Sequence, residues 1–471
     1  SPIDNSVMVR LTGSSSSPLV VSEVRSTHLQ DASPGIVPAL SVSFLHFTSM
    51  AMTMMVWIDA CGMAFLGGDN ATYMAAATDT TVSSEPQRLY SRLLAVNALC
   101  EFATSQLVGV LSDTYGRRRL AQITQLGQVI DYTVAGLCLV PVGGPGGIQT
   151  PTALVALSLF SSRGIAGLLG NVKIALNSYI ADISTPEQCA TRMAYIDAVM
   201  TVAFMLGPII VAVVSQLGIS FRICFWLAAF LNACNIGIIF STWRDVAPRR
   251  PLDCAKTNPL AGTAILSTSK SLKVCALMYL LDAFSLNMFM STFTHYCASV
   301  LEQTKTQQTL LSVVFGISSA YALASAGPML MKKYGELFVL KLGYVVTVIF
   351  YILFSLLQPS SSGWVTYPVI CLFSAGMIKA PLIKALASKK TDPEQQGALQ
   401  GALSLIETLG KITAPLLAGE VLMPAFEGPG QFHGMVFVVA AAIISPGIAL
   451  AFLLDSTPVR KNLGKDANVE L

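Results

Sequence analysis

Ionisable side chains interrupt the long apolar runs of this sequence at positions where a charge is costly. They are His46, Asp59, Glu101, Asp131, Arg163, Lys173, Asp197, Asp282, Lys379, Lys384 and Glu407. If these runs cross a bilayer, an unpaired charge at its centre costs at least about 2.5–3.5 kcal/mol. Each group must therefore face a polar cavity or a partner. If depth in the bilayer is taken as about 1.5 Å per residue from the start of each span, the residues nearest the midplane are Glu101, Asp131, Arg163 and Glu407.

Buried carboxylates beside an arginine can exchange protons. Burial and a neighbouring arginine act in opposite directions on the proton affinity of a carboxylate. A carboxylate whose arginine contact changes between two conformations can therefore bind and release a proton. We predict this chemistry for Asp59, Glu101, Asp131 and Arg163. A structural ion pair between Arg163 and Glu101 or Asp131 is the alternative that the sequence leaves open.

A second group of buried charges lies in the C-terminal part of the chain. We predict that Asp282, Lys379 and Glu407 line the path of a solute, where a cation such as Lys379 would suit an anion. Structural ion pairs among these groups are the alternative. His46 and His295 are more typical of packing than of proton transfer.

The sequence gives no sign of a metal site, a cofactor or an enzyme. Its ten cysteines are scattered through apolar runs without metal-ligand spacing, which is typical of small packing residues. No hydrolase triad, phosphate-binding glycine loop or nucleotide motif is present. We therefore expect no cofactor and no bound metal.

Composition defines the elements that must position these charges. Of the 471 residues, 53% are hydrophobic and only 12% are charged, and the mean hydropathy is +0.63, far from the roughly 25% charged residues of soluble domains. Because a spanning helix needs about 20 apolar residues, this length predicts an all-α membrane protein of about twelve spans. The net charge of +3 is too small to indicate nucleic-acid binding.

Apolar runs predict two bundles of six spans. The predicted spans are 38–66, 89–111, 120–141, 152–179, 190–215, 221–242, 274–298, 307–330, 336–358, 364–387, 397–422 and 433–455. The domains are therefore an N-terminal tail (1–36), a first bundle (37–242), a linker (243–271), a second bundle (272–456) and a C-terminal tail (457–471).

An internal repeat indicates that the two bundles are related. Thr185 to Gln188 (Thr-Pro-Glu-Gln) returns as Asp392 to Gln395 (Asp-Pro-Glu-Gln), and Gly207-Pro208 returns as Ala414-Pro415. Both matches have an offset of 207 residues. Parallel halves of this kind are common in transport proteins.

Charge distribution predicts the orientation in the membrane. Lysines and arginines collect in alternate connections, which places both termini in the cytoplasm. They include Arg117 to Arg119, Arg192, Lys332, Lys333, Lys389, Lys390, Arg460 and Lys461. The first loop on the other side carries the N-glycosylation sequon Asn70-Ala71-Thr72. The plasma membrane and an endomembrane remain open alternatives.

The sharpest motif lies between spans 2 and 3. Gly116 permits a tight turn, and the arginines after it suit lipid headgroups. The defining positions of the motif are Gly109, Leu111, Asp113, Gly116, Arg117 and Arg118. With these residues the chain resembles the major facilitator superfamily, whose signature is G-x-L-x-D-x-x-G-R-R. The resemblance implies a gating role for Asp113 and Arg117 in an alternating-access cycle.

Further motifs narrow the resemblance. Asp59 in span 1, Arg163 with Gly167 and Gly170 in span 4, and the turn from Pro393 to Gly397 are similar to the drug/proton antiporter branch, which includes tetracycline antiporters and hippocampus-abundant-transcript-like proteins. In that branch the span 4 arginine, matched by Arg163, is connected with proton transfer, and Asp59 matches the span 1 aspartate. The span 5 antiporter motif is reduced here to Gly207-Pro208, which weakens the inference of antiport.

Three functions follow from this resemblance. The first is proton-coupled transport of a small organic solute, by rocking of the two halves. The second is symport of folate-like or other organic anions, as in the proton-coupled folate transporter family, which the region from Ala181 to Met193 also resembles. The third is a receptor or assembly subunit without transport. The expected partners are the solute, protons and the lipid bilayer, with no nucleic acid, and we expect a monomer.

Overall fold

The fold is a bundle of long helices in two halves. The computed structural model describes residues 35–66, 85–138, 152–184, 186–244, 261–358, 362–391, 396–426 and 432–454. The predicted sequon at Asn70 lies outside these residues, as do nearly all of both predicted tails. Within the described ranges all regular structure is helical.

The first half contains six spans, of which the fourth is divided. They are α1 (Val37–Leu66), α2 (Glu85–Tyr115), α3 (Arg117–Cys138), α4a (Thr152–Leu168), α4b (Val172–Asp182), α5 (Pro186–Gln216) and α6 (Arg222–Thr242). A short 3-10 helix, Ala261–Ser267, precedes the second half.

The second half repeats this order with more irregular helices. Its spans are α7 (Lys270–Ser299), α8 (Lys305–Tyr334, with a π-helical turn at Ala322–Ala326), α9 (Glu336–Ser355), α10a (Ser362–Gly376), α10b (Lys379–Lys389), α11 (Gln396–Ala425, with a π-helical turn at Leu417–Leu422), α12a (Met435–Ile444) and α12b (Pro446–Phe452).

Nine spans in the described part of the chain are long and apolar enough to cross a membrane. The other three, α2, α3 and α11, have transmembrane length but are more polar. Helices α2 and α11 pack against each other between the two halves, so part of their surface faces protein and polar groups instead of lipid. Together these spans form the predicted all-α architecture of twelve membrane-spanning helices.

Spans 4 and 10 are interrupted where the sequence predicted continuous helices. The chain leaves the helix at Leu169–Asn171, where Gly170 has a φ of +97°, and again at the turn of Met377 and Ile378. Positions 170 and 377 differ by the same 207 residues as the sequence repeat. The interruption is therefore a shared feature of the two halves.

Each half has its own hydrophobic core. In the second half, Phe289 contacts a cluster of aromatic rings that includes Phe350 and Phe373, with centroid distances of 5.3 and 4.5 Å. In the first half, Trp57 and Phe225 meet edge to face at 4.9 Å. Separate cores allow each half to keep its internal packing if the two halves move relative to each other.

The two largest helix contacts between the halves are related to each other. Helix α5 packs on α8, and α2 packs on α11. Under the six-plus-six repeat, α2 corresponds to α8 and α5 to α11, so the second contact repeats the first. Gly316 in α8 makes a close approach possible, because a Cβ on it would lie 2.1 Å from Cγ of Met205 in α5.

Candidate functional site

A buried ion pair joins the two halves near one end of the bundle. We call the end that carries Arg117, Lys333 and Lys389 the basic end, and the other the opposite end. Near the opposite end, Lys305 Nζ at the start of α8 lies 2.6 Å from Asp59 Oδ2 in α1. Both side chains are almost fully buried, with exposed fractions of 6% and 5%.

Further contacts close the same end. Arg92 donates two hydrogen bonds to the carboxylate of Glu420, at 2.5 and 2.9 Å. Gln87 donates to the carbonyl oxygen of Ser291 at 3.0 Å. Each of these contacts joins the first half to the second. The opposite end is thus closed by polar contacts that must break if the halves separate there.

A second ion pair lies within the first half. Arg163 Nη1 is 3.2 Å from Asp131 Oδ2, and Ser162 Oγ donates to Asp131 Oδ1 at 3.0 Å. The guanidinium group of Arg163 lies 4.1 Å from the centre of the Trp57 ring. Trp57 precedes Asp59 by two positions on α1. Arg163 therefore contacts the same helix that carries Asp59, the carboxylate paired with Lys305.

The pair of Arg163 and Asp131 is incompletely satisfied. Asp131 is fully buried. Among the described residues, however, its Oδ2 accepts no hydrogen bond and the Nε of Arg163 donates none. A buried charged pair with unused hydrogen-bonding capacity is costly. Of the two partners that the sequence left open for Arg163, the structure brings Asp131 into contact.

Asp282 and Lys379 pair with each other. Their charged groups are 2.9 Å apart, with exposed fractions of 5% and 3%. Lys379 Nζ also donates to the carbonyl oxygen of Gly376 at 3.1 Å, next to the interruption of α10. This geometry matches the structural alternative stated for these two residues.

Glu101 and Glu407 lie where the halves face each other. Glu101 accepts a hydrogen bond from Asn171 Nδ2 at 2.5 Å, and Asn171 caps the start of α4b. Glu407 accepts a hydrogen bond from the Tyr279 hydroxyl at 2.8 Å. Lys411 and Lys384 lie 3.5 and 3.9 Å from the Glu407 carboxylate. These groups form a polar region between the halves.

The motif between α2 and α3 forms the predicted tight turn. Gly116 has a φ of +100°, and Gly335 at the corresponding turn of the second half has a φ of +83°. Arg117 Nε donates to Asp182 at 2.8 Å, which ties the turn to the end of α4b. Arg118 donates to the carbonyl oxygen of Phe240.

The remaining motif residues are less fully described. Leu111 is partly buried. Gly109 belongs to α2. The side chain of Asp113 lies outside the described part of the molecule, so the gating role inferred for Asp113 stays a prediction.

Sequence reasoning missed Lys305 and Lys411. The predicted span 8 begins at residue 307 and leaves out Lys305, which is the first residue of α8. Lys411 sits inside the predicted span 11, where its charge could have been noticed. The partner of Arg117, Asp182, could not have been found from spacing, because 65 residues separate the two.

The chain belongs to the major facilitator superfamily, whose family model matches residues 39–415. The tetracycline resistance protein, class C, of Escherichia coli is 26% identical over 356 residues, covering 75% of this chain and 84% of that protein. The human hippocampus abundant transcript 1 protein is 22% identical over 337 residues, covering 69% and 64%. These relatives confirm the branch that the motifs indicated.

Solved structures show the same fold. The human organic anion transporter MFSD10 (TETRAN) superposes with a TM-score of 0.63 at 17% identity, covering 88% of this chain and 98% of that one. The D-xylose-proton symporter gives a TM-score of 0.65 at 12% identity, covering 88% and 97%. The protein is therefore a multi-pass integral membrane protein and a secondary active transporter, and not an enzyme.

Proposed function

We propose that the protein couples the transport of a small organic solute to protons, by alternating access between its two halves. The observation that carries this proposal is the buried pair of Asp59 and Lys305, which joins the halves at 2.6 Å. While Asp59 is charged, its attraction to Lys305 holds the opposite end closed. A proton on Asp59 removes that attraction and favours opening.

The first-half pair contributes a second proton site. Asp131 is buried against Arg163 with one oxygen that accepts no hydrogen bond among the described residues. A change in the position of Arg163 would alter the proton affinity of Asp131. Because Arg163 packs on Trp57 of α1, movement of α1 and movement of the arginine are coupled through direct contact.

The orientation of the cycle follows from the basic loops. We place the basic end in the cytoplasm because lysine and arginine collect in cytoplasmic connections. In that orientation the structure is closed on the outer side. The cluster of charges around Glu407 would then be reached from the cytoplasm.

Transport by proteoliposomes under an imposed pH gradient tests this function. The purified protein should show proton flux that depends on a solute from a broad organic library, and the Asp59→Asn variant should lose the dependence of uptake on the gradient. The direction of the flux distinguishes antiport from symport. If no solute drives proton movement, the protein is better explained as a receptor or assembly subunit on the same fold.

A further inference from the structure

A cluster of charged side chains lies where the two halves face each other. We call it the central cluster, and its members are Glu101, Lys173, Tyr279, Lys384, Glu407 and Lys411. Two come from the first half and four from the second. None of them belongs to the pair that closes the opposite end or to the pair of Arg163 and Asp131.

The first-half side of the central cluster depends on the interruption of span 4. Asn171 precedes α4b and has an extended backbone conformation. Its side-chain oxygen accepts a hydrogen bond from the backbone N–H of Lys173 at 2.7 Å. Its Nδ2 donates to Glu101 at 2.5 Å. One asparagine thus fixes both the start of α4b and the carboxylate of α2.

The second-half side holds one carboxylate between two lysines. Glu407 lies 3.5 Å from Lys411 and 3.9 Å from Lys384, and Tyr279 donates a hydrogen bond to it at 2.8 Å. The Lys384 ammonium group also lies 5.1 Å from the centre of the Tyr279 ring. Two cations and a hydroxyl donor therefore converge on one carboxylate.

Charge interactions extend between the two sides. Glu407 interacts electrostatically with Lys173 of the first half, and Lys411 with Glu101. Three of the six members of the cluster are lysines and two are carboxylates. The side chains of Lys384, Glu407 and Lys411 are 38%, 35% and 33% exposed, unlike the buried Lys379, which Asp282 neutralises.

We propose that the central cluster binds the carboxylate or other anionic group of an organic solute, and that Glu407 occupies the place of that group between Lys384 and Lys411 when no solute is bound. The inference rests on the proposed transport function and names the class of solute. An incoming anion would displace Glu407 from the lysines and accept the hydrogen bond that the Tyr279 hydroxyl now donates to Glu407. Repulsion by the lysine side chains of the cluster disfavours an organic cation beside them.

Opposite effects of two neutralising variants test the proposal. The purified full chain is titrated with carboxyfluorescein, an organic anion, and with tetramethylrhodamine methyl ester, a cation built on the same ring system, and binding is followed by fluorescence anisotropy. The anion should bind more tightly than the cation. Glu407→Gln should strengthen anion binding by at least about tenfold, because it removes the carboxylate that competes with the anion for the two lysines. Lys411→Gln or Lys384→Gln should weaken anion binding by at least about tenfold.

Matched controls come from an exposed pair at the basic end. Lys389 and Glu336 form an ion pair of 2.6 Å with exposed fractions of 54% and 37%, so Lys389→Gln and Glu336→Gln should leave both affinities unchanged. The proposal is overturned if the cation binds as tightly as the anion, if neither binds, or if Glu407→Gln weakens anion binding as Lys411→Gln does. The last result would mean that Glu407 only supports the packing of α11.

The same preparation separates this inference from the proposed function. Solute-driven proton flux without any preference for anions would refute the central cluster as an anion site and leave proton coupling intact. Anion binding with the expected variant effects, but without proton flux, would refute the coupling and leave the site intact.

Discussion

Asp59 and Lys305 are 246 positions apart in the sequence and belong to different halves, yet their charged groups lie 2.6 Å apart in a nearly dry environment. The pair lies in the polar closure of the opposite end. Any conformation that opens this end must separate two opposite charges that are both buried here. Three free cysteines, Cys61, Cys224 and Cys297, are fully buried in the spans around the pair. Opening of this end can therefore be followed by the rate at which a thiol reagent labels them.

Neutralising Asp59 should open the opposite end. Removing one partner of a buried ion pair typically costs about 3–5 kcal/mol, so Asp59→Asn shifts the balance away from the closed conformation. We expect faster maleimide labelling of Cys224 and Cys297, located by mass spectrometry. Glu336→Gln, in an exposed pair at the basic end, is the control. Unchanged labelling in Asp59→Asn would show that the pair does not hold the halves together, and the charge-exchanged double variant Asp59→Lys with Lys305→Asp should restore protection.

Removing the arginine of the first-half pair should have two separable effects. Arg163→Ala leaves Asp131 buried without its cation, so we expect about 3–5 kcal/mol of destabilisation and loss of proton-coupled transport. The double variant Arg163→Gln with Asp131→Asn should regain thermal stability in detergent, since no charge is left unpaired, but should not regain coupling. Transport driven normally by the gradient in either variant would refute a coupling role for Arg163.

Two glycines on α4a should respond differently to alanine. A Cβ on Gly167 would lie 2.3 Å from the carbonyl oxygen of Asn97, whereas a Cβ on Gly164 would lie no closer than 3.8 Å to Cys100 Sγ. We therefore expect Gly167→Ala to destabilise the protein by about 1–3 kcal/mol and Gly164→Ala to be tolerated. Apparent melting temperatures of the purified variants provide the measurement. Equal stability of the two would mean that α2 and α4a are less closely packed than the structure indicates.

The turn after α2 provides a matched pair of arginines. Arg117 contacts both Asp182 and Ser112, at 2.8 and 2.7 Å, while Arg119 is exposed. Arg117→Gln should reduce transport severalfold because the end of α4b loses its anchor, and Arg119→Gln should have little effect. Initial rates of uptake in proteoliposomes distinguish the two. Equal rates would assign the motif to membrane orientation alone.

The fold was predictable because hydrophobic runs and a repeat can be read directly from the sequence. Apolar runs and the turn at Gly116 each require only neighbouring residues, and the repeat requires only a comparison of two stretches of sequence 207 residues apart. The interruption at Gly170 was harder to predict, since the apolar run continues across it and only the cap at Asn171 marks the restart. Helices α2 and α11 were found in spite of their polarity, which reflects their contact with each other.

The site was only partly predictable because its contacts join distant spans. Sequence position indicated that Arg163 needs a carboxylate, but could not choose between Glu101 and Asp131. Lys305 was missed because a cation at the edge of an apolar run resembles a loop residue. Its role depends on the packing of α8 against the first half, which no local pattern encodes.

The matched interruptions of spans 4 and 10 have a mechanical consequence. Each half consists of a large block and a short lever, α4b in the first half and α10b in the second. Lysines stand at the base of both levers, Lys173 and Lys379. Lys173 is part of the central cluster, whereas Lys379 is neutralised by Asp282. The two corresponding interruptions therefore differ in the charge that surrounds them. Because α10b also carries Lys384 of the central cluster, an anion bound there would act on both short helices, through Lys173 beside the first interruption and through Lys384 five residues beyond Lys379 at the second.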